Sequence, residues 1–163
     1  MKDRIAKIVG AGEAKNIWMG TFHSVFARIL RSEAEKIGYP ANFTIYDTDD
    51  AKSLIKTILK EQGLDDKVYK PGSVLSRISS AKNNSISAQA YLNNPQIQEE
   101  DRMAVKPKLG IIYQIYSNRC FKAGAMDFDD LLFNTNVLLR DHPNVLHKYQ
   151  HKFKYILVDE YQD

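Results

Sequence analysis

The sequence predicts an α/β domain in which helices predominate. Three observations carry this. Tyr155, Ile156, Leu157 and Val158 form a short apolar run with β-branched members, as a strand buried on both faces of a parallel sheet would. Asn16–Phe22 (NIWMGTF) is a second strand candidate, and helical period begins directly after it. Between these two, from residue 41 to 124, the chain reads as helix after helix, which implies an all-helical insertion between two pieces of an α/β core. Two strand candidates and about seven or eight helices result. If both strands form they should pair in parallel, and their outer edges would favour self-association.

Taken in order, Met1–Val9 has Ile5, Ile8 and Val9 at helical spacing, with Gly10 and Gly12 as stop signals. After the first strand candidate, His23–Gly38 returns to helical period through Val25, Phe26, Ile29 and Leu30 and closes on Gly38. Asp47–Gln62 follows, with Asp47 or Thr48 as N-cap and Leu54, Ile55, Ile58 and Leu59 as its apolar stripe. Pro71 occupies a first helical position ahead of Val74, Leu75 and Ile78. Glu99, Glu100 and Asp101 read as a helix start, since carboxylates favour a first turn. Pro107 predicts a break before the helix of Leu109, Ile112, Tyr113, Tyr116 and Phe121, whose aromatics are assigned to packing. Asp127 is the expected N-cap of the next helix, with Asp130 completing a capping box. A short helix from Asn144 to His151 leads to the final strand.

Four groups of residues attract a chemical reading. Asp159 and Glu160 stand where the terminal strand would end, the place where open α/β sheets bind ligands. Adjacent acids there suit nucleotide hydrolysis, Asp159 holding Mg²⁺ and Glu160 deprotonating a water, or else simply begin a solvated loop. Thr21, Phe22, His23 and Ser24 lie at a strand-to-helix turn, where amides and hydroxyls can receive a phosphate and a ring can stack on a base. The alternative is that Ser24 or Thr21 caps the helix and Phe22 is core. From Lys67 to Gln98 there is no acid, while Lys67, Lys70, Arg77 and Lys82 supply a charge of +4 in a chain whose total is +3. With Asn83 and neighbouring serines this tract suits nonspecific phosphate contact, or else a solvated face. His147 and His151 are four apart with no third ligand in view, so zinc is not expected.

VDEYQD at Val158–Asp163, preceded in order by MKDRI at Met1–Ile5, GTFHS at Gly20–Ser24 and MDFDDLL at Met126–Leu132, resembles the superfamily 1 DNA helicases of the UvrD, Rep and PcrA type. The matches span nearly the whole chain; AKN at Ala81–Asn83 adds a weaker one. The resemblance implies an incomplete P-loop NTPase core. Residues 1–40 and 125–163 would belong to the motor, and residues 41–124 to the helical insertion called subdomain 1B. It implies that Asp159 binds Mg²⁺ with ATP, that Glu160 activates water, and that Gln162 senses the γ-phosphate. Thr21, Phe22, His23 and Ser24 would contact single-stranded DNA, and Lys82 and Asn83 DNA as well. The parent would translocate on single strands and unwind duplex DNA using ATP. A helicase subunit of a recombination helicase-nuclease, or a non-catalytic helical module binding DNA or protein, are the alternatives.

None of the eight glycines is followed by lysine, so the phosphate-cradling GxxxxGK[ST] loop is not in this sequence. A fragment starting after that loop is expected to hold ATP and Mg²⁺ only weakly and to be inactive alone. The 163 residues, 44% hydrophobic and 26% charged, suit one globular domain without a membrane partner, and the chain reads as cytoplasmic. Cys120 is alone, which excludes an internal disulfide.

Overall fold

A computed structural model describes residues 1–161; Gln162, assigned above to γ-phosphate sensing, and Asp163 lie outside the described residues. The element order is α1 (Lys2–Val9), α2 (Ala11–Asn16), α3 (Phe22–Glu33), a 3₁₀ turn (Ala34–Ile37), β1 (Thr44–Tyr46), α4 (Thr48–Glu61), α5 (Pro71–Asn83), α6 (Ala88–Leu92), α7 (Pro95–Met103), α8 (Leu109–Lys122), β2 (Ala125–Asp127), α9 (Phe128–Asp141) and α10 (Pro143–Lys152). The mostly helical α/β class is as predicted. β1 and β2 pair in parallel, with Thr44 opposite Ala125, Ile45 opposite Met126 and Tyr46 opposite Asp127.

These strands are not the expected ones. Asn16 closes α2, and Phe22 already opens α3, with an extended link between them. Trp18 in that link packs by its ring, edge-on to Tyr149 and Phe153 and under the Arg28 guanidinium at 3.9 Å, rather than by backbone pairing. Tyr155–Val158 is likewise unpaired, and Tyr155, Ile156 and Leu157 are 95%, 77% and 98% exposed. An apolar run becomes a strand only where a neighbouring ladder accepts its amides and carbonyls. The described residues offer this one none. The sheet edges that would have driven self-association are therefore not formed, and the reason for expecting it goes with them.

Two hydrophobic clusters organise the rest. One gathers α4, α5, α6 and α8 around Ile55, Ile58, Ile78, Ile112 and Tyr116, all at most 2% exposed. The other joins α3, α9 and α10 through Ile29, Leu30, Met126, Leu131, Leu138 and Val145. The apolar stripes of α4 and α5 explain their burial, and Asp47 and Pro71 set where they start. The break at Pro107 also holds, α7 ending at Met103 and α8 beginning at Leu109. The acids Glu99–Asp101, expected to begin a helix, instead lie in the second half of α7, which starts at Pro95 under an Asn94 cap. Arg77 holds two of them there, its guanidinium reaching Glu100 and Asp101, each at 3.1 Å, while Glu99 pairs with Arg102. This tertiary ion pairing overrides their preference for a first turn.

The fold repeats one device at the two strand ends. Asp47-Thr48-Asp49-Asp50 leads β1 into α4, and Asp127-Phe128-Asp129-Asp130 leads β2 into α9. In each, the first aspartate accepts the amide of the fourth residue at 2.8 Å, and the fourth accepts the amide of the first, a complete capping box.

Candidate nucleic-acid interface and its buried ion network

Thr21 is the N-cap of α3. Its hydroxyl accepts the Ser24 amide at 3.3 Å, and the Ser24 hydroxyl donates to the Thr21 carbonyl at 2.9 Å. These local bonds fix the turn while leaving Thr21, Phe22, His23 and Ser24 all exposed. Phe22, core in the alternative reading of this turn, is 57% exposed. The His23 ring meets the edge of Phe128, on α9, with centroids 5.9 Å apart at 75°. The segment thus presents two hydroxyls, an imidazole and a phenyl ring on a rigid helix start, with the Phe128 ring beside them.

Asp159 and Glu160 are exposed, and Asp159 folds back to accept the Glu160 amide at 3.0 Å. Glu160 has φ +52°, so the turn is held in the left-handed region. No cluster of three or more metal-ligating side chains occurs among the described residues. Mg²⁺ needs fewer: one or two carboxylates, with water and substrate phosphate completing the octahedron. The second oxygen of Asp159 fits that minimal role. A phosphate cradle is not part of what the described residues offer.

Lys82 is placed otherwise than expected. Its side chain is 3% exposed, and its ammonium lies 2.7 Å from Asp127 Oδ2 and 2.8 Å from Asp130 Oδ1. The Tyr116 hydroxyl donates to Asp127 Oδ2 at 2.8 Å, and the Ser79 hydroxyl to Asp129 Oδ2 at 2.5 Å. A cation so enclosed is closed to a DNA phosphate, because leaving would strand two buried carboxylates. Arg77 is engaged too, by Tyr91, Glu100 and Asp101. Of the basic tract only Lys67 and Lys70 stay exposed, so half of the local surplus is internal counter-charge. Asn83, one residue on, is exposed and lines an open groove of about 610 Å³ between α4, α5 and the start of α9.

The sequence had located the Asp127 cap but not its cation. A usable signal was present: three acids in MDFDD stand in a stretch with no basic residue from Ala123 to Leu139 and lead into a helix whose expected packing residues are apolar, so a counter-ion for a buried acid would come from elsewhere in the chain.

Burial disfavours charge on all three groups, and the network decides which keep it. Burial alone would lower Lys82, but Asp130 and Asp127 more than reverse this and hold it above its ordinary value. Burial would raise Asp127, yet the Lys82 ammonium and its hydrogen bond bring it below the usual carboxylate range. Asp130 goes the other way, pushed up to about 6 by burial and by the Asp127 charge, against Lys82. The Cys120 thiol, also raised chiefly by burial to about 12, stays protonated and inert.

The signs give a testable window. Because folded Asp130 holds its proton above the ordinary 3.8, its contribution to stability falls as pH rises from about 4 to about 6. Asp127 is depressed, so its contribution is present above 3.8 and lost as pH falls below that. Thermal melts of Asp130→Asn against the parent sequence should show the difference moving in the variant's favour by several degrees between pH 4 and 6. A difference that stays flat across that window would show Asp130 to be solvated.

Comparison with known proteins places this architecture. The model of the UvrD/REP helicase N-terminal domain matches residues 1–163, the whole chain. The chain belongs to that family. Similar proteins to this UvrD/REP family member include the ATP-dependent DNA helicase PcrA of Staphylococcus aureus (strain Mu50 / ATCC 700699), 42% identical over 164 residues. PcrA of Bacillus subtilis (strain 168) is 44% identical over 166 residues, and ATP-dependent DNA helicase UvrD1 of Mycobacterium leprae (strain TN) 38% over 164. All of this chain is covered in each case, but only 21% of each relative, so the chain spans about one fifth of their length.

Proposed function

We propose that this chain is part of an ATP-dependent DNA helicase, as its relatives are named, and that it supplies a single-strand contact and the acidic end of the nucleotide site. The reading rests above all on the Thr21–Ser24 turn, exposed at the start of α3 and stiffened by its own capping bonds. Thr21 and Ser24 offer hydroxyls and His23 a ring to a passing strand, and Phe22 flanks them. Residues 1–40 and 125–163 act as motor core and residues 41–124 as the helical insertion; the two hydrophobic clusters support two units, although Phe43 and Ile45 pack with the motor-side cluster and β1 pairs with β2. Lys67 and Lys70 take over the phosphate contact, single-stranded or duplex, once assigned to Lys82, and Asn83 serves from the groove.

Asp159 is the carboxylate that would hold Mg²⁺ with ATP, Glu160 the base for the attacking water, and Gln162 the γ-phosphate sensor. Bound Mg²⁺ would neutralise charge developing on the phosphates. Orienting that water is the part left to Glu160. The cytoplasm is the setting such a function implies; no helix among the described residues is long and apolar enough to cross a membrane.

Titrating labelled single-stranded and duplex oligonucleotides at low and moderate salt tests the reading. Salt-sensitive binding is expected. Thr21→Ala/His23→Ala should weaken single-strand binding roughly tenfold, the scale of one lost base contact. Failure of the unmodified chain to bind single strands at low salt would remove the DNA assignment.

A further inference from the structure

Four cations of α3 and α10 lie over aromatic rings, and they divide into two kinds. Arg31 covers Phe43 at 4.3 Å, and its guanidinium also donates to the Ala41 and Phe43 carbonyls at 3.1 and 3.0 Å. Lys148 covers Tyr149 and is paired with Glu33. These two are engaged by the fold. Arg28, one turn before Arg31, covers Trp18 at 3.9 Å, and Lys152, one turn after Lys148, reaches the same ring at 4.5 Å. Among the described residues no oxygen takes the side-chain donors of either, and both are exposed.

Stacking occupies the face of a guanidinium and leaves its edge open, the geometry in which arginine takes a phosphate by two parallel N–H···O bonds. The ring beneath is itself fixed, since half-buried Trp18 packs edge-on to Tyr149 and Phe153. Arg28 and Lys152 are no farther apart than their two ring distances laid end to end, and like charges so close repel. Nothing nearby offsets them. The sequence from Pro143 to Val158 contains no acid, and Glu33, the carboxylate that meets α10, is already held between Lys36 and Lys148. Two cations kept together on one ring without a counter-charge make a place for an anion.

We propose that Arg28 and Lys152, seated on the Trp18 indole, bind a phosphate group, Arg28 by its two-pronged edge and Lys152 as a point charge. The site is distinct from the Thr21–Ser24 turn and does not rest on the single-strand reading. Its chemistry suits a phosphodiester of a nucleic-acid backbone and a free phosphate ion alike.

Trp18 is the single tryptophan of the chain, so its fluorescence reads the site directly. Inorganic phosphate, and separately a single-stranded oligonucleotide, titrated into this chain at fixed ionic strength should give a saturable change in Trp18 emission that sodium chloride does not give. A response to phosphate alone assigns the free ion as ligand; one that the oligonucleotide also gives, or gives alone, assigns the backbone. Arg28→Gln should weaken the interaction roughly tenfold, the scale of a lost hydrogen bond to a charged group. Arg28→Lys should fall between that variant and the parent, since it keeps the charge and the ring contact but not the fork. Lys60→Gln, which removes an equal charge from α4, should change nothing, and thermal melts show that each variant is folded. Emission that answers phosphate, oligonucleotide and chloride alike, or an affinity indifferent to both Arg28→Gln and Lys152→Gln, overturns the site and leaves the single-strand reading standing.

Discussion

Lys82→Met should cost about 3–5 kcal/mol of folding stability, the scale of breaking a buried ion pair by removing one partner. The loss is not mainly that of two attractive contacts. Methionine fills much of the same volume, but it leaves Asp127 and Asp130 facing each other in a site where the pair is at most 12% exposed. Against a domain stability of roughly 5–15 kcal/mol this is about a fifth or more of the total. At about 2–4 °C per kcal/mol for a chain of this size, the melting temperature should fall by roughly 6–20 °C. Adding Asp127→Asn should recover much of the loss, since asparagine still caps α9 and Asp130, already raised, takes a proton. Thermal and urea melts of the single and double variants decide it. A single-variant cost under about 1 kcal/mol would mean that the ammonium is solvated, and would reopen Lys82 as a DNA contact.

That network also shows where sequence reasoning reaches and where it stops. Helices α4, α5 and α9 were legible because their signals are local: an aspartate or proline at the start, an apolar stripe at helical spacing after it. β2 was not, because Ala-Met-Asp has no strand preference; it pairs since Ala125 and Met126 are wholly buried beside β1. Tyr155–Val158 fails in the opposite sense, with strand composition and no ladder among the described residues. Lys82 looked like surface charge because its partner stands 45 residues away. The turn at Thr21–Ser24 was correctly located as a helix start, but the ring that meets His23 comes from residue 128, and no spacing rule links them.

The two Asp-x-Asp-Asp boxes permit a comparison in which local chemistry is constant and tertiary setting varies. Asp47→Ala removes an exposed cap from α4 and should cost about 1 kcal/mol, as exposed N-caps do. Asp127→Ala removes the same cap from α9 and, with it, the oxygen that receives both Lys82 and Tyr116. The buried hydroxyl is then orphaned and the ammonium left with Asp130 alone, so about 3–5 kcal/mol should be lost. Asp127→Asn should fall between the two, keeping the cap while removing the charge. The difference between the alanine variants, about 2–4 kcal/mol by subtracting a bare cap, measures what the ion network adds to one capping box. A double-mutant cycle with Tyr116→Phe separates its hydroxyl share. Equal costs for Asp47→Ala and Asp127→Ala in urea melts would show that the network contributes nothing net and that its three charges merely offset their own desolvation. In that case α9, and with it Phe128 beside His23, would be positioned by the apolar contacts of Leu131 and Leu138 alone.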